Sequence, residues 1–145
     1  MYQKRKILIL LLPVILGGII YIAFRSDQLL LFNWLSSIDG VRKLNNYGNT
    51  ILVFHWFKYS LPDGLWLYSY TSLMLEIWRY RINEQSLFWI FSLPFIALSS
   101  EFLQLFKVIP GTFDFLDLIF YSLGIVLPFY KSNVLIFNPK NHEKI

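Results

Sequence analysis

Residues 97–124 read ALSSEFLQLFKVIPGTFDFLDLIFYSLG, and inside this apolar stretch the chain keeps three acids and an amide. Glu101 and Gln104 are three residues apart, as are Asp114 and Asp117. On helices each pair lies on one face, about 4.5 Å apart along the axis. Paired carboxylates could serve acid–base chemistry on a lipid or sugar, or offer oxygen donors to Mg²⁺ or Ca²⁺. They could also pair with the basic groups of another protein. Carboxylates alone do not choose among these. G-x-S-x-G, H-E-x-x-H and P-loop patterns are absent. The residues therefore assign no cofactor and no metal site. Glu101 and Asp117 are the candidates for any catalytic role, and all four residues for ligand binding.

The elements that position these groups are set by an unusual composition. Of 145 residues, 56% are hydrophobic, 19% aromatic and only 15% charged, against about 25% charged in soluble domains. The length suits one domain. Lys and Arg outnumber Asp and Glu, 13 to 9. The basic residues flank apolar runs rather than lining one face, so nucleic acid is not the expected partner and membrane lipid is. There is no cysteine, which excludes disulfides, thiolate catalysis and Cys-linked lipid anchors.

Four apolar runs, at about 7–24, 63–78, 87–106 and 113–130, predict an all-α membrane protein with four transmembrane helices. None alternates as barrel strands do. Lys4-Arg5-Lys6 precedes the first run, which lacks a cleavage site and reads as an uncleaved span containing Pro13. The second run opens on Ser60-Leu-Pro-Asp63, where Ser60 can cap and Asp63 can bond back. With the N-terminus inside, Lys4, Arg5, Lys6, Arg79, Arg81, Lys131, Lys140 and Lys144 are internal, and Arg25, Arg42, Lys43, Lys58 and Lys107 external. That balance places both termini in the cytoplasm. The third and fourth spans then form a hairpin through Val108-Ile-Pro-Gly111 that brings Glu101, Gln104, Asp114 and Asp117 to the outer side. His55 and His142 fall on opposite sides and cannot share a metal.

The long outer connection, 25–61, carries QLLLFNWLSS and TILVFHWFKY, too short to span and too apolar to lie free in water. These predict interfacial segments with Trp34, His55 and Trp56 near headgroup level, joined by a turn at Asn45, Asn46, Gly48 and Asn49. Plain structural roles compete with the chemical ones. Asp114 and Asp117 are spaced like an N-cap and its N3 partner. Gln104 can bond across a helix interface, and Ser99, Ser100, Gly17, Gly18 and Gly124 can serve close packing. Glu76 and Arg79 suit an ion pair at the inner interface. Trp78, Tyr80, Tyr121 and Tyr130 suit interface anchors. A carboxylate as deep as Glu101, roughly 9 Å along the helix from Lys107, must face the bundle or a wet cavity.

The hairpin resembles the VanZ-like membrane family, whose signature is Glu, Gln three on, a short turn often containing Pro-Gly-Arg, Asp, Asp three on, then Asn and Gly. Here these are Glu101, Gln104, Pro110-Gly111, Asp114, Asp117 and Gly124. Two positions depart: Thr112 follows Gly111 where the family has Arg, and Tyr121 stands where it has Asn. Beyond the hairpin the likeness is one of size and span number. The resemblance implies a single membrane domain over 1–145, in the cytoplasmic membrane of a bacterium. Some members of that family are linked to low-level resistance to teicoplanin, a glycopeptide antibiotic, but the family's molecular activity is not established.

Three functions follow as expectations. The first is an envelope protein whose outward acidic pocket binds or acts on a lipid-linked cell-wall component or a glycopeptide. The second is a non-catalytic subunit whose acids pair with a membrane partner or a second copy. The third is a small transporter or proton relay using Glu101, against which stands the absence of an acid deep in the inner half.

Overall fold

The computed structural model describes residues 2–24, 39–131 and 135–136. Its architecture is all-α: α1 (Tyr2–Phe24), α2 (Asp39–Asn49), α3 (His55–Lys58), α4 (Ser60–Ile77), α5 (Glu84–Leu105) and α6 (Phe115–Lys131). Two-residue strands β1 (Arg81–Ile82) and β2 (Leu135–Ile136) pair in parallel. Among the described residues, α5 is the one helix both long and apolar enough to cross a membrane. Shorter apolar helical stretches cover Leu10–Phe24 and Phe115–Tyr130. The expected interfacial segment around Trp34, and His142, lie outside the described residues.

The four long helices alternate in direction. Along α4, Pro62 and Trp66 meet Gly17, Trp66 Nε1 bonds the carbonyl of Val14 at 3.2 Å, and the Ser69 hydroxyl bonds that of Leu10. The numbering runs oppositely, so α1 and α4 are antiparallel. These bonds flank Pro13, where the helix ladder is interrupted. Between α4 and α5 the Tyr70 hydroxyl reaches the Trp89 carbonyl at 2.6 Å and the Ser92 hydroxyl at 2.7 Å. The tightest pairing is between α4 and α6, which run parallel. A Cβ on Gly64 would stand 2.9 Å from Phe120 Cβ, and one on Gly124 2.6 Å from the Gly64 carbonyl oxygen. Gly17 is pressed likewise on Trp66, whereas Gly18 faces open space.

Burial is inverted relative to a water-soluble core. The buried positions of α4 include Ser60, Pro62, Gly64, Ser69, Thr71 and Ser72. Large apolar side chains face outward, with Phe88 and Phe95 on α5 and Phe106 just after it each about 70% exposed. The outer faces are greasier than the seams.

Helix ends follow from local sequence, with three corrections. Asn83 caps α5 through a capping box: its side chain accepts from the Ser86 amide at 2.7 Å, and the Ser86 hydroxyl accepts from the Asn83 amide at 2.8 Å. Ser60, expected to cap α4, is instead its first residue, wholly buried, and its hydroxyl has no hydrogen-bond partner. Helical geometry reaches back to Tyr59 because α3 runs straight into α4 with one residue between them. The turn expected at Asn45–Asn49 is helical. Asn45 donates to the Ile22 carbonyl at 2.8 Å, satisfying one of the last carbonyls of α1, and Gly48 lies against Ala23. That tertiary bond offsets the poor helix propensity of Asn. Glu76, expected to pair with Arg79, accepts from the Tyr80 hydroxyl at 2.5 Å.

Both α4 and α5 end in the same six-residue closure. Tyr80 and Val108 amides bond the Leu75 and Leu103 carbonyls, at 2.8 and 2.9 Å. Arg79 and Lys107 amides bond the Glu76 and Gln104 carbonyls, both at 3.0 Å. This is the Schellman motif, which places its C′ residue in the left-handed region that favours glycine. Here those residues are Arg79 (φ 52°) and Lys107 (φ 56°).

Two stability outcomes are expected. Gly124→Ala should destabilise the purified protein by about 1–3 kcal/mol through helix overpacking, while Gly18→Ala should be neutral or stabilising by up to about 1 kcal/mol. Thermal unfolding of the two variants checks this, and equal behaviour would contradict the α4–α6 contact. Lys107→Gly should stabilise by about 1 kcal/mol by relieving a left-handed side-chain penalty, read in the same assay.

Candidate functional site

At the end of the bundle where α5 gives way to α6, a cavity of about 350 Å³ opens among α3, α4, α5, α6 and the connecting hairpin. α5 contributes Ser100, Glu101 and Gln104, all within two turns on one face. Glu101 is 3% exposed. The turn after α5 folds Gly111 back onto the Gln104 amide. A Cβ there would lie 2.7 Å from Gln104 Cδ, and its φ of +140° is one that side chains rarely adopt. The Pro-Gly pair thus brings the start of α6 beside the end of α5, with Thr112 on the cavity wall.

Asp114 joins the parts. Its Oδ1 accepts from the Leu116 amide at 2.9 Å, capping α6. Its backbone N–H donates to Glu101 Oε2 at 3.4 Å, across the hairpin. Its Oδ2 lies 3.7 Å from His55 Nδ1, an ion pair when the imidazole is protonated. The His55 ring lies 4.4 Å from the Tyr59 ring, tilted by 34°. One turn into α6, Asp117 and Tyr121 present the same face, four residues apart. Across from them α4 supplies Asp63, four residues beyond Tyr59.

The four residues singled out from sequence, Glu101, Gln104, Asp114 and Asp117, all line this one cavity. The capping role weighed for Asp114 is present together with its place in the wall. Sequence reasoning gave Tyr59 no role, read Ser100 as a packing residue, and assigned three further members elsewhere. Asp63 was read as a cap, yet it opens its helix on the side where Glu101 ends its own, which the alternating topology already implied. His55 was placed near headgroups and stands at the cavity rim, with its side chain 68% exposed. Tyr121 was read as an interface anchor and is 8% exposed. Thr112 and Tyr121, the two departures from the VanZ-like pattern, both face the cavity.

The arrangement offers hydrogen-bond acceptors and negative charge. No Lys or Arg is among the lining residues. Among the described residues no three acids or histidines are close enough together to hold a metal ion. A second cavity of about 380 Å³ lies across the α4–α6 seam, against α1, and is apolar, lined by residues such as Pro13, Leu65, Phe120 and Leu127. Tyr68 is the one polar side chain among its lining residues.

Comparison of the chain with protein-family models, with curated proteins and with solved structures returns no match.

Proposed function

We propose that the chain is a VanZ-like integral protein of the bacterial cytoplasmic membrane, with α1, α4, α5 and α6 as four spans and both termini cytoplasmic. Its outward acidic cavity binds the polar part of a lipid-linked envelope component. The membrane reading is supported by the inverted burial: small and polar residues in the seams, large apolar ones outside, as expected where lipid replaces water. At about 1.5 Å per residue the four helices measure roughly 25–35 Å, against about 30 Å of hydrocarbon. Their alternating directions fit successive crossings. The exposed segment before α3, with Leu52 fully exposed and Phe54 75% exposed, lies at the cavity end and suits the outer headgroup layer.

The binding reading rests on one observation. Four carboxylates drawn from three helices and a hairpin line one cavity, where their like charges repel one another. Caps alone would not need Glu101, which lies within α5, starts no helix and is buried.

Two experiments test this. Because the chain lacks cysteine, single cysteines report topology directly. Leu52→Cys and Val108→Cys should react with an impermeant maleimide on intact cells, and Gln85→Cys only after permeabilisation. The reverse pattern, or labelling of all three, would remove the four-span orientation. For function, the deletion strain is restored with wild type, Glu101→Gln or Asp117→Asn, with membrane levels checked by blot. Sensitivity to teicoplanin and to other cell-wall and membrane stresses is then scored. Both variants should accumulate normally and fail to complement, by tenfold or more in survival. Full complementation would make the acids packing groups and favour a non-catalytic subunit.

A further inference from the structure

We propose that the apolar groove across the α4–α6 seam seats one acyl chain of an anionic outer-leaflet phospholipid, with the phosphate drawn to Lys58. The inference rests on the membrane reading above and makes no use of the acidic cavity. Leu61, Leu65 and Tyr68 of α4 and Phe120, Leu123 and Leu127 of α6 form the two long walls, and α1 contributes Pro13. Each stripe covers seven residues of helix, about 10 Å along the axis. Because α4 and α6 both start at the outer side, the groove begins near the outer end of the bundle and stops near mid-span. One leaflet's tails occupy that depth, half of the roughly 30 Å hydrocarbon layer.

Shape and chemistry select the occupant. Leu123 and Leu127 are half-exposed, so the groove opens on the lipid-facing flank. Left empty, it would forfeit the dispersion contacts of its walls. A water needs two to four polar partners, and the Tyr68 hydroxyl is the one polar side-chain group in the lining. A volume of about 380 Å³ spread along the two stripes leaves a channel about 7 Å across, whereas a helix with its side chains measures about 10–12 Å. A hydrocarbon chain fits that channel and a helix from a second copy does not.

The outer mouth has the groups a lipid headgroup needs. Rings of α3 bridge α1 and α6 there: Phe57 meets Phe24 edge-on at 5.8 Å, and Trp56 stacks at 5.8 Å on Phe120, itself a wall of the groove. Trp at this level suits the boundary between tails and headgroups. Lys58 stands three residues before Leu61, and Tyr59 between them keeps right-handed helical geometry. The Lys58 ammonium lies 5.9 Å from the centre of the Phe24 ring and forms no ion pair among the described residues. α2, docked on the end of α1 through Asn45, brings Arg42 and Lys43 to the same end against one acid, Asp39. The acids of the other cavity line the opposite face of α4. A phosphate at this mouth therefore meets positive charge and an ammonium donor.

The full chain is extracted from membranes in mild detergent, and bound lipid is counted by native mass spectrometry after adding phosphatidylglycerol or phosphatidylcholine. One retained phosphatidylglycerol per chain is expected, at least threefold over phosphatidylcholine. Leu127→Trp fills the groove and should lower retention at least fivefold. Val126→Trp, at an exposed neighbouring position outside the lining, should leave retention unchanged. Lys58→Gln leaves the groove walls intact and should bring the two lipids to equal retention. No retained lipid, or equal losses in Leu127→Trp and Val126→Trp, would overturn the proposal, since any lipid present is then an ordinary boundary layer. A dimer that Leu127→Trp dissociates would overturn it too, making the groove a contact between copies. An unchanged headgroup preference in Lys58→Gln would overturn the phosphate assignment. Failure of the membrane reading is seen separately, as a chain that does not sediment with membranes. An inserted chain without retained lipid overturns this inference alone.

Discussion

Gly64 and Gly124 let the backbones of α4 and α6 touch, and the rest of the bundle is arranged around that contact. The seams of this bundle are built from small and polar residues, so its helices associate through close packing and polar bonds rather than through large apolar side chains. Two glycines facing each other provide the closeness. The parallel pair then has two flanks. On one, α1 packs along α4, held by Trp66 and Ser69. On the other, α5 leans against the pair and is held by Tyr70. The acidic cavity and the apolar one lie on opposite sides of this seam. Asp63 is the neighbour of Gly64, and Tyr121 the neighbour of Phe120, so the glycine contact also sets how far apart the cavity walls stand.

The chain also shows how helix ends are managed where glycine is scarce. Arg79 and Lys107 take the left-handed position of a Schellman closure. The strain is offset by satisfying carbonyls that would otherwise be orphaned at a helix end. In both cases the residue is basic and sits where the helix dipole is negative, which lessens the penalty further.

Much of this could be read from the sequence because apolar run length carries long-range information. The runs located the four long helices to within a few residues. The i, i+3 spacing of Glu101 with Gln104 and of Asp114 with Asp117, joined by Pro-Gly, was enough to bring those residues together. What was not legible depends on tertiary partners. Asn45 and Gly48 have turn-like propensities, and only the end of α1 explains their place in a helix. Ser60 is a good cap in isolation, but α3 runs directly into α4 and leaves no cap position for it to fill. Asp63 and Tyr121 have ordinary local roles to play, and nothing in their immediate neighbours signals that they share a wall with Glu101.

Asp114 has a consequence for how such a site can change over time. One carboxylate starts α6, faces His55 and sits on the amide that reaches Glu101. Helix initiation and cavity charge are therefore encoded at the same position and cannot drift separately. The residues that preserve the first turn of α6 while altering the charge are few, chiefly Asn, Ser and Thr. A lineage exploring new ligands at this cavity would keep Asp114 fixed and vary the positions that carry no such double duty. Thr112 and Tyr121, which line the cavity without starting a helix, are positions of that kind.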